Sequence, residues 1–290
     1  MAERYAIGLG GQKCASSWVH AVLAEHPAVN AAPGKELDFF SYHHDRGHDW
    51  YARRWRGPGL RFENSPSYLH DPRAPGRLRA FAPGARLIAT LRDPVDRAFS
   101  HHLHEIARGH IRAQPFAPAL RANPDYLEQG HYARHLSVWR QAFPPDRMLI
   151  LLAEEIAAAP EAARVRMLRF LGLDPGPPPA MLAEARNVSD RARLPALRAG
   201  LRAGGAAMRA AGLSAPLAAL KRGAPAKALM RWNDRPLRAE VPALSATERA
   251  ALAQGFAADM AALAGMMGRD SLPWPSWQAV GRPASAVAHR

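Results

Sequence analysis

Apolar positions along the chain gather into short runs, separated by polar stretches and by turns rich in glycine and proline. Tyr5 to Gly10 (YAIGLG) is an unbroken apolar run closing on glycine, the pattern of a strand buried on both faces. Ser16 to Glu25 then reads as a helix that ends before Pro27. Leu60 to Ser65 is a candidate strand, Arg86 to Leu91 (RLIATL) is a stronger one, and Arg147 to Ala153 (RMLILLA) is a further β-type run. Asp93 to Arg108 predicts a helix, with Asp93 as N-cap and Pro94 at its first position. Asp125 to Phe143 and Glu161 to Leu171 also read as helices. Strands alternating with helices predict an α/β fold, a parallel sheet flanked by helices. Ligands of such sheets bind at the carboxyl ends of the strands.

The pattern lapses at Asp174 to Pro179 (DPGPPP), a linker. Residues 174–240 form an insertion rich in Ala, Gly and Arg, with only short helical patterns. Order returns at Ser245-Ala246-Thr247-Glu248, a capping box that opens a C-terminal helix over about residues 245–268, with Gly268 as its C-cap. No repeat of fixed period is present. The expected organisation is one domain, 1–290, carrying the insertion.

Composition narrows the class. With 290 residues, 48% hydrophobic and 22% charged, the chain can bury a substantial core and is neither disordered nor fibrous. No apolar run approaches the roughly 20 residues that span a bilayer. The N-terminal MAERYAIGLGG lacks the basic-then-apolar pattern of a signal peptide, so a cytoplasmic setting is expected. The single cysteine, Cys14, excludes a disulfide framework and a multi-cysteine zinc site. The net charge is +14, and Arg191 to Arg238 carries eleven basic residues against one acid, Asp234. Two readings of that charge stay open. One is codon bias, since only four of the 39 basic residues are lysine (Lys13, Lys35, Lys221, Lys227). The other is an anionic partner, and 191–238 would then offer a surface for a glycan, a lipid headgroup or peripheral membrane contact. Nucleic acid is not the expected partner, because Trp232 is the only aromatic in the tract.

Three segments carry candidate chemistry. Gly10-Gly11-Gln12-Lys13-Cys14-Ala15-Ser16-Ser17-Trp18 joins the first strand to the first helix. Glycines admit an anion close to backbone N–H groups, the helix N-terminus adds unpaired donors, and Lys13, Ser16 and Ser17 add a charge and two hydroxyls. It is not a Walker A loop, because no Gly-Lys-Ser/Thr is present; an ordinary strand-to-helix turn is the plain alternative. Arg92-Asp93-Pro94-Val95-Asp96-Arg97-Ala98-Phe99-Ser100 places an arginine at a strand end and a hydroxyl two turns along the next helix, a pair able to grip a phosphate. A local pairing of Arg92 with a carboxylate is the competing reading. Lys35-Glu36-Leu37-Asp38-Phe39-Phe40 sets a carboxylate beside a lysine, which could be a surface turn; if the two phenylalanines are buried, Glu36 could instead face a pocket and act as a partly desolvated general base. The histidines (His43, His44, His48, His101, His102 and His104 among them) show no metal-ligand spacing, so no metal is expected.

Together these segments resemble the sulfotransferases that use 3′-phosphoadenosine-5′-phosphosulfate (PAPS), in particular the heparan-sulfate-type and bacterial glycan branch. Gly10 to Trp18 resembles that family's 5′-phosphosulfate loop, Arg92 to Ser100 its 3′-phosphate motif, and Lys35 to Phe40 the segment with the catalytic glutamate. Glu63-Asn64-Ser65-Pro66-Ser67-Tyr68 is similar to its Glu-Lys-Ser/Thr-Pro-x-Tyr segment, with Asn64 in place of lysine. Gly130-His131-Tyr132 through Trp139, Phe170-Leu171-Gly172-Leu173 and Leu263 to Trp277 follow in family order, and Asn187 to Arg193 is the best candidate for the late PAPS loop.

The resemblance implies a P-loop-like nucleotide-binding fold and sulfuryl transfer from PAPS to a hydroxyl or amine, with PAP as product. Lys13 and Glu36 would be catalytic. Lys13, Cys14, Ala15, Ser16, Ser17, Arg92 and Ser100 would bind PAPS. The acceptor would be a glycan, a lipid or another small molecule, with Tyr68, Tyr132, His131, Trp50 and Trp55 as candidates to stack on it. A small-molecule kinase of the P-loop type and a non-catalytic binder of anionic ligands are the alternatives; the kinase would need a Gly-Lys-Ser/Thr and a Mg²⁺-binding acid.

Overall fold

The computed structural model describes residues 4–177, 190–192, 234–236 and 240–281. Chain contacts divide the molecule into two units, one from Met1–His101, Asn123–Arg186 and Leu244–Arg290, the other from His102–Ala122 and Asn187–Ala243.

The first unit is built on a five-stranded sheet: β1 (Tyr5–Gly10), β2 (Val29–Ala31), β3 (Leu60–Asn64), β4 (Arg86–Leu91) and β5 (Met148–Leu152). The strand order is β2-β3-β1-β4-β5, and every pairing is parallel. The chain runs outward from β1 to β2, returns through β3, then crosses to β4 and β5 on the other side. That reversal makes the carboxyl end of β1 a topological switch point, where open α/β sheets open a crevice. β1 and β5 are buried at every residue, as unbroken apolar runs predict for strands covered on both faces. On one face Val19, Leu23, Phe62, Ile88, Leu151 and Met167 pack together. Each fully buried aliphatic or aromatic side chain of this kind contributes on the order of 1.5–3 kcal/mol.

The helices are α1 (Ser16–Ala24), α2 (His48–Ala52), α3 (Ala74–Phe81), α4 (Pro94–Arg108), α5 (Phe116–Ala122), α6 (Asp125–Glu128), α7 (Tyr132–Ala142), α8 (Ala153–Ala158), α9 (Pro160–Leu171), α10 (Ala246–Met266) and α11 (Pro275–Ala279). The four expected strands form within a residue or so of their predicted bounds. β2 was not expected, and at three residues it is too short to show a period. The expected single helix over Asp125 to Phe143 is two, broken at Gly130. A Cβ there would lie 2.8 Å from the Phe256 ring of α10, so the glycine permits close packing. The new helix start is capped from far along the chain: the Asp259 carboxylate accepts from the Ala133 and Arg134 N–H groups, each at 3.0 Å. The Ser245 capping box forms in both arms, with Glu248 N–H donating to Ser245 Oγ (3.2 Å) and Ser245 N–H to Glu248 Oε2 (2.8 Å).

In the second unit the described residues comprise the end of α4, α5, and an antiparallel ladder of β6 (Asp190–Ala192) with β7 (Asp234–Pro236), Arg191 opposite Arg235. The linker over Asp174 to Pro179 is described only as far as residue 177, and most of the insertion, including most of the Arg191 to Arg238 tract and most of Asn187 to Arg193, lies outside the described residues. Among the described residues no helix is long and apolar enough to cross a membrane.

Candidate functional site

Three loops that leave the carboxyl edge of the sheet, after β1, β4 and β2, carry the candidate residues. The first follows β1. Gly10, Lys13 and Ala15 all have φ near +70°, so the loop coils tightly before α1 begins. Its glycines are sterically required: a Cβ on Gly10 would sit 2.5 Å from Pro66 Cα, and one on Gly11 2.7 Å from the Thr90 carbonyl oxygen. The loop is thus wedged between the exits of β3 and β4. No side chain of its N-cap residue, Ala15, satisfies the first N–H groups of α1, which leaves a helix N-terminus suited to an anion. Ser16 is held from behind, its carbonyl accepting from Asn64 Nδ2 at 2.7 Å. Asn64 is itself buried, so it supplies no exposed polar group to the loop.

Cys14 is turned the other way. Its side chain is fully buried, with Sγ 3.6 Å from Tyr132 Oη. Burial pushes the thiol pKa up to about 11, against the lowering pull of Tyr132, Arg97 and Arg92. Of the expected donor-binding run, Cys14 therefore contributes backbone alone, while Lys13 and Ser17 are at least partly exposed.

The second loop follows β4, the neighbour of β1 in the sheet, with Gly10 paired to Ala89. Arg92 stands at its start, 3.8 Å from Asp96, a carboxylate also paired with Arg249 at 2.9 Å. The long, partly exposed Arg92 contact is the local pairing that the sequence left open. Asp93 caps α4 as expected, its Oδ1 accepting from Val95 N–H (2.9 Å) and Asp96 N–H (3.2 Å). Its other oxygen accepts from Ser276 N–H at 2.9 Å. Glu154 joins the same clamp, accepting from Asp93 N–H (3.0 Å) and Trp274 Nε1 (2.9 Å). The C-terminal Trp274–Ser276 turn thus holds the base of the Arg92 loop. Ser100 lies two turns along α4, mostly buried. Beneath it Arg97 is fully buried, donating to the Tyr126 carbonyl and to Gln129 Oε1 (3.3 Å), with Nε unpaired.

The third loop, after β2, carries Lys35 to Phe40. Phe39 and Phe40 are buried, as expected. Glu36 (φ 68°) and Asp38 (φ 50°) join Lys13 and Ala15 as the only non-glycine residues with positive φ among those described. Strained backbone of this sort persists where surrounding structure over-determines it. Here the determinant is Glu63 at the end of β3. Its buried carboxylate accepts from Tyr68 Oη (2.5 Å), Ser65 Oγ (2.7 Å) and Tyr51 Oη (3.2 Å). Tyr68 Oη in turn accepts from Phe39 N–H at 2.8 Å, and Ser65 Oγ from Asp38 N–H at 2.9 Å. Burial raises the Glu63 pKa to about 7, even though all three hydroxyls pull it down.

Lys35 reaches across to the first loop. Its Nζ donates to Ser17 Oγ (2.9 Å) and Ser16 Oγ (3.3 Å) and pairs with Glu36 Oε1 at 3.2 Å. The Glu36 side chain is 45% exposed, so the expected desolvation is absent: the carboxylate sits at the mouth, held by an ammonium. The structure therefore gathers Ser16, Ser17, Lys35 and Glu36 at one place, with Lys13 in the same loop and Arg92 at the end of the adjoining strand β4. Three of the five expected acceptor contacts are lost to the core. Tyr68 and Tyr132 are fully buried in the bonds above, and Trp55 is buried with Nε1 on the Phe62 carbonyl (3.3 Å). Trp50 and His131 stay partly exposed, Trp50 beneath Arg54 (3.8 Å) and Arg46 (4.8 Å). Glu154, Asp259 and the anchoring role of Glu63 were not foreseen, because each acts on a partner that only folding brings near.

A parallel sheet with an anion-ready helix start at its switch point defines the P-loop-like class of nucleotide-binding α/β proteins. The comparisons narrow that class. The profile of the Sulfotransferase family matches residues 35–177. The chain is 33% identical over 195 residues to the bifunctional heparan sulfate N-deacetylase/N-sulfotransferase 3 of Homo sapiens, covering 58% of this chain and 22% of that protein. It is 29% identical over 184 residues to the human heparan sulfate glucosamine 3-O-sulfotransferase 3B1, covering 58% of this chain and 46% of the relative. The chain thus spans less than half the length of these curated relatives. Among solved structures, the sulfotransferase from Alicyclobacillus acidocaldarius superposes with a TM-score of 0.68 at 21% identity, covering 96% of this chain and all of that one, which establishes a shared fold. The likeness to sulfotransferases thus rests on the family profile over residues 35–177 and on a shared fold.

Proposed function

We propose that this chain transfers a sulfuryl group from PAPS to a hydroxyl or amine of a carbohydrate acceptor, leaving PAP. The observation that carries the reading is the meeting, at one sheet edge, of an uncapped helix start with Lys13, an arginine on the next strand, and a lysine-paired carboxylate at the mouth. The residues suit a donor with phosphate at both ends: Lys13 and the first N–H groups of α1 for the phosphosulfate, Arg92 and Ser100 for the 3′-phosphate. The donor supplies an activated S–O bond. Glu36 takes the proton of the acceptor as the new bond to sulfur forms, and Lys13 stabilises the charge left on the departing phosphate oxygen. The two arms hold the sulfur in line, so positioning and electrostatics provide most of the acceleration, as in phosphoryl transfer. The heparan sulfate names of the relatives support a glycan as acceptor.

The test is a screen of acceptors with labelled PAPS, run with Lys13→Ala and Glu36→Gln. Both variants should lose at least about 100-fold in turnover, the range general acid–base and oxyanion groups supply. Glu36→Gln should still bind PAP. Near-normal turnover in Glu36→Gln overturns the base assignment, and ATP binding in preference to PAP overturns the donor.

A further inference from the structure

The Lys35 ammonium sits between the hydroxyls of the loop after β1 and the carboxylate proposed as base, donating to both hydroxyls and ion-paired with the carboxylate, each within 3.3 Å. Ser16 and Ser17 open a nine-residue helix whose N-terminus lacks a side-chain cap. An anion seated there would lie against the same hydroxyls that Lys35 touches. Composition adds an independent pointer. Only four of the 39 basic residues are lysine, and two of those lie in the basic tract of 191–238. The other two, Lys13 and Lys35, lie on or against this one loop, although they come from different strand exits. An ammonium is a compact point charge that can serve several acceptors around it, whereas a guanidinium is a planar fork. The third polar residue near the loop, Asn64, is buried and committed to the Ser16 carbonyl, so it brings no charge.

We propose that Lys35, paired here with Glu36, is a second cationic ligand of the donor's 5′-phosphosulfate and is drawn to the donor when it binds. This inference rests on the sulfotransferase reading above. Lys35 Nζ keeps its place over Ser16 and Ser17 and turns an N–H from Glu36 Oε1 to the incoming anion. Glu36 then has both carboxylate oxygens available for the acceptor's proton. Donor binding thereby arms the base, and the donor binds productively before the acceptor. No bond is made or broken in this exchange, only the partner of one ammonium proton.

The experiment is calorimetric titration of the full chain with PAP and with adenosine 3′-monophosphate, which lacks the 5′-phosphate. In K35M, PAP should bind about 10- to 100-fold more weakly, the worth of one charge-assisted contact, while the ligand without the 5′-phosphate should bind within twofold of wild type. In E36Q, PAP should bind more tightly, and the gain should vanish in K35M/E36Q. Equal losses for both ligands, or no loss for PAP, overturn the proposal: the first makes Lys35 a structural link, the second a partner of Glu36 alone. Should K35M fail to fold, K35Q carries the same comparison. Failure of wild type to bind PAP is a different result, since it removes the sulfotransferase reading itself.

Discussion

Removing one hydroxyl, by Tyr68→Phe, tests how the loop that carries Glu36 is held. Tyr68 Oη donates to the buried Glu63 carboxylate at 2.5 Å and accepts from Phe39 N–H at 2.8 Å. The ring stays packed against Phe40, with centroids 5.5 Å apart, so the change leaves almost no cavity. Loss of the bond to the charged acceptor costs about 1.5–3 kcal/mol, and an unpaired buried amide about 1–3 kcal/mol. The sum is limited from above, because Glu63 already has a pKa of about 7 and moves further up once a stabilising donor is gone. A neutral carboxyl then replaces a poorly solvated anion. The expected loss is about 3 kcal/mol at pH 8 and less at pH 6, with the gap between variant and wild type widening as pH rises through 7. Urea denaturation at the two pH values reads the magnitude, and amide exchange at Phe39 reads the local release. Because the freed amide belongs to the loop that carries Glu36, turnover should fall while PAP affinity holds. A loss under about 1 kcal/mol at both pH values, or a fall in PAP affinity equal to that in turnover, refutes the view that Glu63 and Tyr68 act by fixing the Glu36 loop.

Glu63→Gln should remove a pH dependence. The folded pKa of about 7 lies above the ordinary carboxylate value of 4.5, so Glu63 contributes stability that is full below pH 4.5 and is lost as pH rises through 7. The melting temperature of wild type relative to the Gln variant should therefore fall between pH 5 and 8, and a constant difference contradicts it. Gly10→Ala should destabilise by about 2–4 kcal/mol, from the left-handed backbone and overpacking together, because its Cβ would lie 2.5 Å from the backbone of Pro66; a denaturation midpoint within error of wild type refutes the wedge. Cys14, fully buried with a pKa near 11, should react with iodoacetamide at pH 7.4 only as fast as the chain opens. Prompt stoichiometric labelling of the folded protein would show the loop to be open.

Four of the five strands of the parallel sheet were legible because each is an apolar run of five or six residues, as in Arg86 to Leu91, and the loop after β1 because Gly10 and Gly11 are needed for its backbone path. The capping box at Ser245 was equally plain, since its partners lie three residues apart. What could not be read were the contacts that span the chain. Asp259 capping α7, Glu154 clamping Asp93 and Trp274, and Lys35 reaching Ser16 and Ser17 each join residues far apart in sequence.

By itself the sequence determined the alternating α/β order, the parallel sheet and the three candidate segments, because periodicity and turn residues act over a few neighbours. Only the tertiary structure decided which way each side chain faces. It buried Cys14, Tyr68 and Tyr132, left Glu36 half exposed, and set Lys35 against the donor loop. Orientation and burial arise from packing between distant elements, which local pattern does not encode.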